Sequence, residues 1–469
     1  MSYIRVNKHY VHLPYLYLAI AEAISLIIAL ALAYEVVEYR NPAVQFSEVL
    51  TPISYVIFVS VLTFSSLAMG VYSSLVREGL VNMLLRTLVS FFLLSSTALF
   101  LIDLITIEAF FGQRLIFWAI LIATFIISLV RWLFTRVVDA KQVRRHVLFY
   151  GAGAKAKKLL EELLPHSDSL AIGIYACVTS AQEAIEVTEI PVIAEPEDWV
   201  QFVKEKQISE IVITPDDRRR TSGDAFPLSQ FLDCKLMGVP SVYAQSFYER
   251  EMGLIDVELL QPGWMLYSDG FRFSRSSLIA KRLFDLTLAS VFLFFMWPFM
   301  LLTAIAVKLE SKGPALYHQV RVGLNGKPFR IYKFRSMRQD AEKNGAVWAQ
   351  KNDNRITRVG AFIRNTRLDE LPQIYNVLAG HMSFVGPRPE RPEFVKSLCE
   401  QIPYFDMRHK VKPGLMGWAQ LKYPYGASVQ DAKNKLQYDL YYTKNHSFMM
   451  DILIMIQTVE IILLGKGVH

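Results

Sequence analysis

The chain has 469 residues, 52% of them hydrophobic and only 20% charged, which is too apolar for an ordinary soluble protein and long enough for about three domains. A formal charge of +7 suits an anionic partner, whether phospholipid headgroup, lipid phosphate or nucleotide, without choosing among them. The three cysteines, Cys177, Cys234 and Cys399, lie far apart and form no CxxC or Cys/His metal spacing, so neither a disulfide framework nor a zinc site is indicated and a reducing compartment is expected.

Four apolar stretches, near 14–34, 51–72, 84–104 and 115–135, each approach the span of about 20 residues that crosses a bilayer. They predict an α-helical four-helix transmembrane anchor over residues 1–140. Arg5 and Lys8 before the first stretch resemble a signal-peptide start, but the later stretches favour a first membrane anchor. Acids follow the first and third stretches (Glu35, Glu38, Glu48, Asp103, Glu108), whereas Lys and Arg gather in the N-terminal tail, near Arg77 and Arg86, and over 131–145. The positive-inside rule then places the N-terminus and the exit of the fourth helix in the cytoplasm.

Over 146–260, short apolar runs alternate with polar helical ones, predicting an α/β Rossmann-like middle domain. It opens with the strand-like Val147 to Tyr150 and the turn Gly151-Ala-Gly153-Ala-Lys-Ala156. A GxGxxA turn at a helix start suits a dinucleotide pyrophosphate. The next strand, near 172–178, lacks the acid that holds a nicotinamide ribose, and no YxxxK pair occurs, so structural or regulatory use outweighs cofactor binding.

The third region, 275–469, begins with Lys281-Arg282 and an apolar segment over 283–308 that contains Pro298. Proline removes a helical hydrogen bond and clashes with the preceding turn, so a kink is expected there. Basic residues flank both ends, Lys281 and Arg282 before and Lys308 and Lys312 after. A re-entrant helix-hairpin that enters and leaves on one face accounts for both features; a kinked fifth span is the alternative.

Beyond it, Phe329 to Met337 reads as a strand that places Lys333 and Arg335 on one face, a positive edge suited to pyrophosphate. The densest constellation is Arg364, Arg367, Asp369, Glu370, Pro372 and Gln373. Pro372 suits a first helical turn, so Asp369 and Glu370 sit at a helix N-terminus, where the dipole favours an ionised Asp369. Such a carboxylate can hold Mg²⁺ or attack phosphorus, Glu370 can share the metal or take a proton, and the arginines supply counter-charge. A simple helix cap at Asp369 is the alternative. In Gly386-Pro387-Arg388-Pro389-Glu390, two prolines stiffen the loop around Arg388, preorganising it for an anion.

Taken in order, the proline-broken apolar segment, KFRSM, RLDELPQ, MSFVGPRP and KPGLMGW resemble the bacterial sugar transferases, monotopic phosphoglycosyl transferases, over roughly 275–465. The four-helix anchor and Rossmann-like module resemble the long members that initiate exopolysaccharide synthesis on undecaprenyl phosphate. The resemblance implies a mixed α/β C-terminal catalytic domain and a ping-pong mechanism. By that resemblance Asp369 would attack the β-phosphorus of a UDP-sugar, UMP would leave, and a polyprenyl phosphate would take the sugar phosphate. It also implies Mg²⁺ at Asp369 and Glu370, Glu370 as partner in proton transfer, and phosphate or nucleotide contacts for Lys333, Arg335, Arg364, Arg367, Pro387, Arg388 and Pro389. Asp439, in Tyr438-Asp-Leu-Tyr-Tyr442, matches a late acidic position. The partners implied are the UDP-sugar, the lipid carrier, the bilayer and a second copy in a homodimer, with no nucleic acid. The setting implied is the bacterial inner membrane, with the catalytic domain on the cytoplasmic face. Some members carry serine before the hairpin proline, where this chain has Trp297. The helix-like 448–464, interrupted by Asp451 and Glu460, is expected at the membrane surface or in the core. A membrane-anchored nucleotide or redox sensor, an anchored sugar-nucleotide epimerase and a transporter are the competing readings.

Overall fold

A computed structural model describes residues 3–6, 9–40, 51–69, 79–106, 111–137, 145–167, 172–179, 184–215, 226–260, 270–271, 274–338, 355–423, 426 and 428–464. The chain divides into two compact units, Met1–Met252 and Gly253–His469.

The first unit opens with an antiparallel hairpin of β1 (Tyr3–Val6) and β2 (His9–His12). Four apolar helices follow: Leu13–Arg40, Pro52–Ala68, a third running from Gly79–Val89 through a π-helical turn at Ser90–Ser95 into Ser96–Ile105, and Gln113–Val137. They bury Ala29, Leu30, Phe58, Leu62, Phe91, Ala119, Ala123 and Ile127 between them. Ile24, Phe64, Leu93 and Phe125 face outward and are more than half exposed. Helices apolar inside and outside call for a lipid surround. Spans over Leu16–Glu38, Met83–Ile105 and Gln113–Arg136 are long and apolar enough to cross a membrane, and Pro52–Ala68 is a shorter apolar helix.

Among the residues behind the expected orientation, Glu48, Arg77 and Glu108 lie outside the described residues. Asp103 accepts from the amides of Phe111 and Gly112 at 3.2 and 2.8 Å, ordering the entry to the fourth helix. Arg131, counted with the basic flank in the sequence, is fully buried in the bundle. Its guanidinium donates to both Glu22 carboxylate oxygens at 2.6 and 3.0 Å, to Thr87 Oγ1 at 2.6 Å and to Ser66 Oγ at 3.3 Å, so one side chain ties all four helices.

Within the same unit, β3 (Arg145–Tyr150), β4 (Ile172–Val178), β5 (Val192–Ile193), β6 (Glu210–Ile213) and β7 (Ser241–Tyr243) form an all-parallel sheet in the order β5-β4-β3-β6-β7. Val147 to Tyr150 are fully buried, as strands covered on both faces require. Gly151 has φ +117, and a side chain there would collide with Thr214 and Pro215. The amides of Glu186 and Val187 donate to the carbonyl of the neighbouring Ala152. This glycine therefore serves close backbone packing around the turn.

In the second unit, Arg275–Glu310 is one long apolar helix capped by Ser274, with Pro298 inside it and helical backbone on both sides. The hairpin of β8 (Leu316–Val322) and β9 (Pro328–Phe334) follows. Later, β10 (Ser383–Val385) and β11 (Gly414–Met416) pair in parallel, which aligns GPRP with KPGLMGW. Side chains on Gly386 or Gly414 would strike the opposing backbone. The helix Phe448–Leu464 buries Met450 and Ile454 in the same core as Phe384 and Val385, so its first half is a core element.

Replacing Glu22 with alanine removes the carboxylate that takes two hydrogen bonds from the buried Arg131 guanidinium, and is expected to destabilise the detergent-solubilised protein by about 3–5 kcal/mol. The pair Glu22→Leu/Arg131→Met is expected to recover most of that loss. Thermal unfolding in detergent reads both, and an unchanged midpoint in Glu22→Ala would show that the pair is not the tie described.

Candidate active site

The site is built on short elements. Helix Arg358–Asn365 ends before Arg367, whose φ of +60 is left-handed, an uncommon conformation for a residue with a side chain. That bend starts the 3₁₀ turn Leu368–Gln373, which carries Asp369 and Glu370 and leads into the five-residue helix Ile374–Leu378. From the buried side of this helix, Asn376 accepts from the Tyr332 amide at 3.2 Å and donates to the Arg330 carbonyl at 2.6 Å. Asn376 thus stitches the turn to β9 and brings Lys333 alongside.

Glu370 Oε1 accepts from Lys333 Nζ at 2.7 Å and from Arg388 Nη2 at 3.1 Å. Burial opposes its charge, but the two cations outweigh burial and hold Glu370 well below the usual carboxylate range. Burial, reinforced by Arg388, lowers the Lys333 ammonium despite the opposing pull of Glu370. Asp369 is 7% exposed and, among the described residues, its carboxylate accepts no hydrogen bond. Burial and the charge of Glu370 push it above the ordinary aspartate value, against Lys333, Arg364 and Arg388. Burial and Glu370 thus act on Asp369 against the expected pull of the dipole, in a turn that is short and 3₁₀. Its carboxylate does not cap a helix. Two adjacent carboxyls pushed in opposite directions are the pattern of divided roles.

The other candidate residues separate. Arg388 joins the cluster, and Arg364 donates from Nε to Ser336 Oγ at 2.9 Å while its charge reaches Asp369. Arg367 is exposed, with its charge felt by Glu370. Arg335 donates to the carbonyls of Lys312 and Ser311 at 2.9 and 2.8 Å, fastening the end of helix Arg275–Glu310. The expected pairing of Lys333 and Arg335 on one phosphate face is not formed, since Arg335 is committed to backbone.

Pro387 and Pro389 are buried, and the loop around them is held carbonyl by carbonyl. Pro387 O accepts from Gly414 N, Arg388 O from Arg408 Nη2 at 2.9 Å, Pro389 O from Arg321 Nη1 at 3.0 Å, and Glu390 O from Val322 N. Asp439 pairs with Arg408 at 2.7 Å and so acts on the loop through that arginine. Asn376, Arg321 and Arg408 are the residues that sequence reasoning missed. Arg321 and Arg408 carry no local motif, whereas an asparagine on the apolar face of RLDELPQIYNVL is a signal of buried hydrogen bonding.

Among the described residues, no group of three or more His, Cys, Asp or Glu side chains gathers around one point. Mg²⁺ usually takes one or two carboxylates and completes its shell from water and substrate phosphate. Asp369, which accepts no hydrogen bond among the described residues, and the second oxygen of Glu370 fit that demand.

Burial pushes Asp439 up to about 6, Glu390 adding to it and Arg408 opposing. Because this lies above the unfolded value of about 3.9, the folded state holds the proton more tightly. The resulting contribution to stability is complete below about pH 4 and is lost as the pH rises through about 6. Unfolding followed from pH 4 to 7 is expected to show this loss in the native chain and not in Asp439→Asn; parallel profiles would refute the assignment.

Residues 276–465 match the family model described as bacterial sugar transferase, and residues 67–215 match that described as CoA-binding domain. A UDP-N-acetylgalactosamine-undecaprenyl-phosphate N-acetylgalactosaminephosphotransferase of Aeromonas hydrophila is 43% identical over 237 residues, 50% of this chain and 55% of that protein. A UDP-glucose:undecaprenyl-phosphate glucose-1-phosphate transferase of Xanthomonas campestris pv. campestris is 34% identical over 294 residues, 60% of this chain and 58% of that protein. The chain thus spans somewhat more than half the length of these two relatives. The exopolysaccharide production protein PSS of Rhizobium leguminosarum bv. phaseoli is 43% identical over 197 residues, 40% of this chain and 98% of that protein. Since that relative is matched almost from end to end, and the family-model match over 276–465 holds the whole Asp369–Glu370–Arg388 cluster, the chain belongs to the bacterial sugar transferase family.

Proposed function

We propose that the chain transfers a sugar 1-phosphate from a UDP-sugar to polyprenyl phosphate, the first membrane step of exopolysaccharide or related glycan synthesis. The observation that carries this reading is a buried carboxylate, Asp369, that accepts no hydrogen bond among the described residues, beside a carboxylate held ionised by two cations. An unbonded carboxylate raised by burial is the better nucleophile once ionised. Asp369 attacks the β-phosphorus, the bond to the bridging oxygen breaks, and UMP leaves with that electron pair. The polyprenyl phosphate oxygen then attacks the aspartyl-phosphosugar, Asp369 departs as carboxylate, and a polyprenyl-diphosphate sugar results. Lys333 and Arg388, already converging on Glu370, are placed to stabilise phosphate charge. When bound, Mg²⁺ supplies Lewis-acid neutralisation of the leaving phosphate from Asp369 and Glu370. The two transferase relatives named above act on different sugars, so the sugar is left to a panel.

We further propose that helix Arg275–Glu310 enters and leaves the membrane on one face, bent at Pro298, with the site at the cytoplasmic surface of the inner membrane. Three observations support this. Its early residues Arg282 and Asp285 bond to 377–384, and its end is held by Arg335. Leu371 packs against both the core that takes Ala289 and the one that takes Val307, positions about 27 Å apart on a straight helix. Between them Phe294, Phe295, Trp297, Phe299 and Leu302 are all more than half exposed.

Detergent-purified protein with Mg²⁺, undecaprenyl phosphate and a panel of UDP-sugars is expected to release UMP, and Asp369→Asn to lose at least about a thousandfold of that rate. Release surviving in the variant would move the nucleophile elsewhere. No release from any sugar would favour an anchored binding protein. In a Cys399→Ser background, cysteines at Ser276 and Lys312 are expected to react from the same side of sealed vesicles; opposite sides would mean a plain span.

A further inference from the structure

The mechanism leaves one cluster of charge unused. Arg282 donates to the carbonyls of Val377 and Leu378 at 2.6 and 2.7 Å, closing the helix that follows the Asp369–Glu370 turn. Both partners are neutral. Beside it stands Lys412, half-buried, whose ammonium donates no hydrogen bond and forms no ion pair among the described residues. Both cations converge on one point: a methyl group on Gly380 would lie 3.4 Å from Arg282 Nη2 and 3.7 Å from Lys412 Nζ. Gly380 has φ +81, which favours glycine and leaves that space open.

Among the described residues, no carboxylate forms an ion pair with either cation. Lys281 is committed to Asp451 at 2.5 Å. Asp285 attracts Lys412 but spends one oxygen on Ser383 Oγ and the Phe384 amide. Burial, then the charge of Arg282, lowers the Lys412 ammonium, with Asp285 opposing. Holding two cations side by side carries an electrostatic cost that a bound anion offsets. Around Arg282 the helix exposes Leu278, Ile279 and Leu283, apolar side chains suited to the edge of the hydrocarbon.

We propose that Arg282, Lys412 and the Gly380 turn form a binding site for the phosphate of one membrane lipid at headgroup level. Charge-assisted hydrogen bonds from a guanidinium and an ammonium are suited to one phosphate between them. The phosphate belongs either to an anionic phospholipid or to polyprenyl phosphate, and the same experiment separates the two.

Full-length protein in detergent is titrated with phosphatidylglycerol, phosphatidylcholine or undecaprenyl phosphate and examined by native mass spectrometry. The native chain is expected to retain one anionic lipid in preference to phosphatidylcholine. Lys412→Met and Lys412→Gln are expected to weaken that retention about tenfold, a loss of about 1.4 kcal/mol, with Lys412→Arg close to native. Displacement of phosphatidylglycerol by an equal amount of undecaprenyl phosphate would assign the site to the carrier, and resistance to it would assign the site to the bilayer lipid. Equal retention by the native chain and both neutral variants, or no preference over phosphatidylcholine, would overturn the proposal. No UDP-sugar is present, so the result stands whether or not the chain releases UMP.

Discussion

Backbone carbonyls without a ladder partner are the constraint around which the second unit is arranged. A five-residue helix, a proline-rich loop and a helix ending at Glu310 all expose carbonyls that burial would otherwise leave unpaired. Arginines reaching from other elements satisfy them. Arg282 closes the helix after the acidic turn, Arg335 takes the carbonyls of Ser311 and Lys312, Arg408 takes Arg388 O and Arg321 takes Pro389 O. A guanidinium suits this task because its fork of donors reaches two acceptors at once and keeps its charge when buried.

These structural arginines leave the reacting groups distinct. Lys333 and Arg388 share one oxygen of Glu370, whereas Asp369, one residue away, carries no hydrogen bond within the described structure. Neighbouring carboxyls thereby acquire opposite proton affinities from burial and pairing alone. The prolines of GPRP restrict the loop, but its position comes from the donors on Gly414, Arg408, Arg321 and Val322.

The long apolar helix is fastened to this machinery by polar contacts. Lys281 donates to Val385 O, at the foot of the GPRP loop, and pairs with Asp451, whose other oxygen takes the Tyr442 hydroxyl at 2.7 Å. Lys281, one of the basic residues flanking the apolar segment, is thus consumed inside the protein. In the first unit Arg131 does the same for the bundle through Glu22, Thr87 and Ser66. In both units, buried polar groups set the register of apolar helices whose packing alone is weakly directional.

Elements that depend on local order and composition could be read directly from the residues. The four apolar helices follow from run length, the parallel sheet from its apolar strands, and the acidic turn from Pro372 beside RLDE. Chain-ordered motifs also identified the family. Tertiary structure decided what each charged side chain touches, because those contacts join residues far apart in the chain. Lys333 and Arg335 sit two residues apart and look alike in sequence, yet one meets Glu370 and the other a helix end. The rise in the proton affinity of Asp369 comes first from surrounding burial, which no local pattern encodes, and it works against the helix dipole. Asp439 was legible as an acid but not as the partner of Arg408, since that pair spans two elements and exists only when the chain is packed.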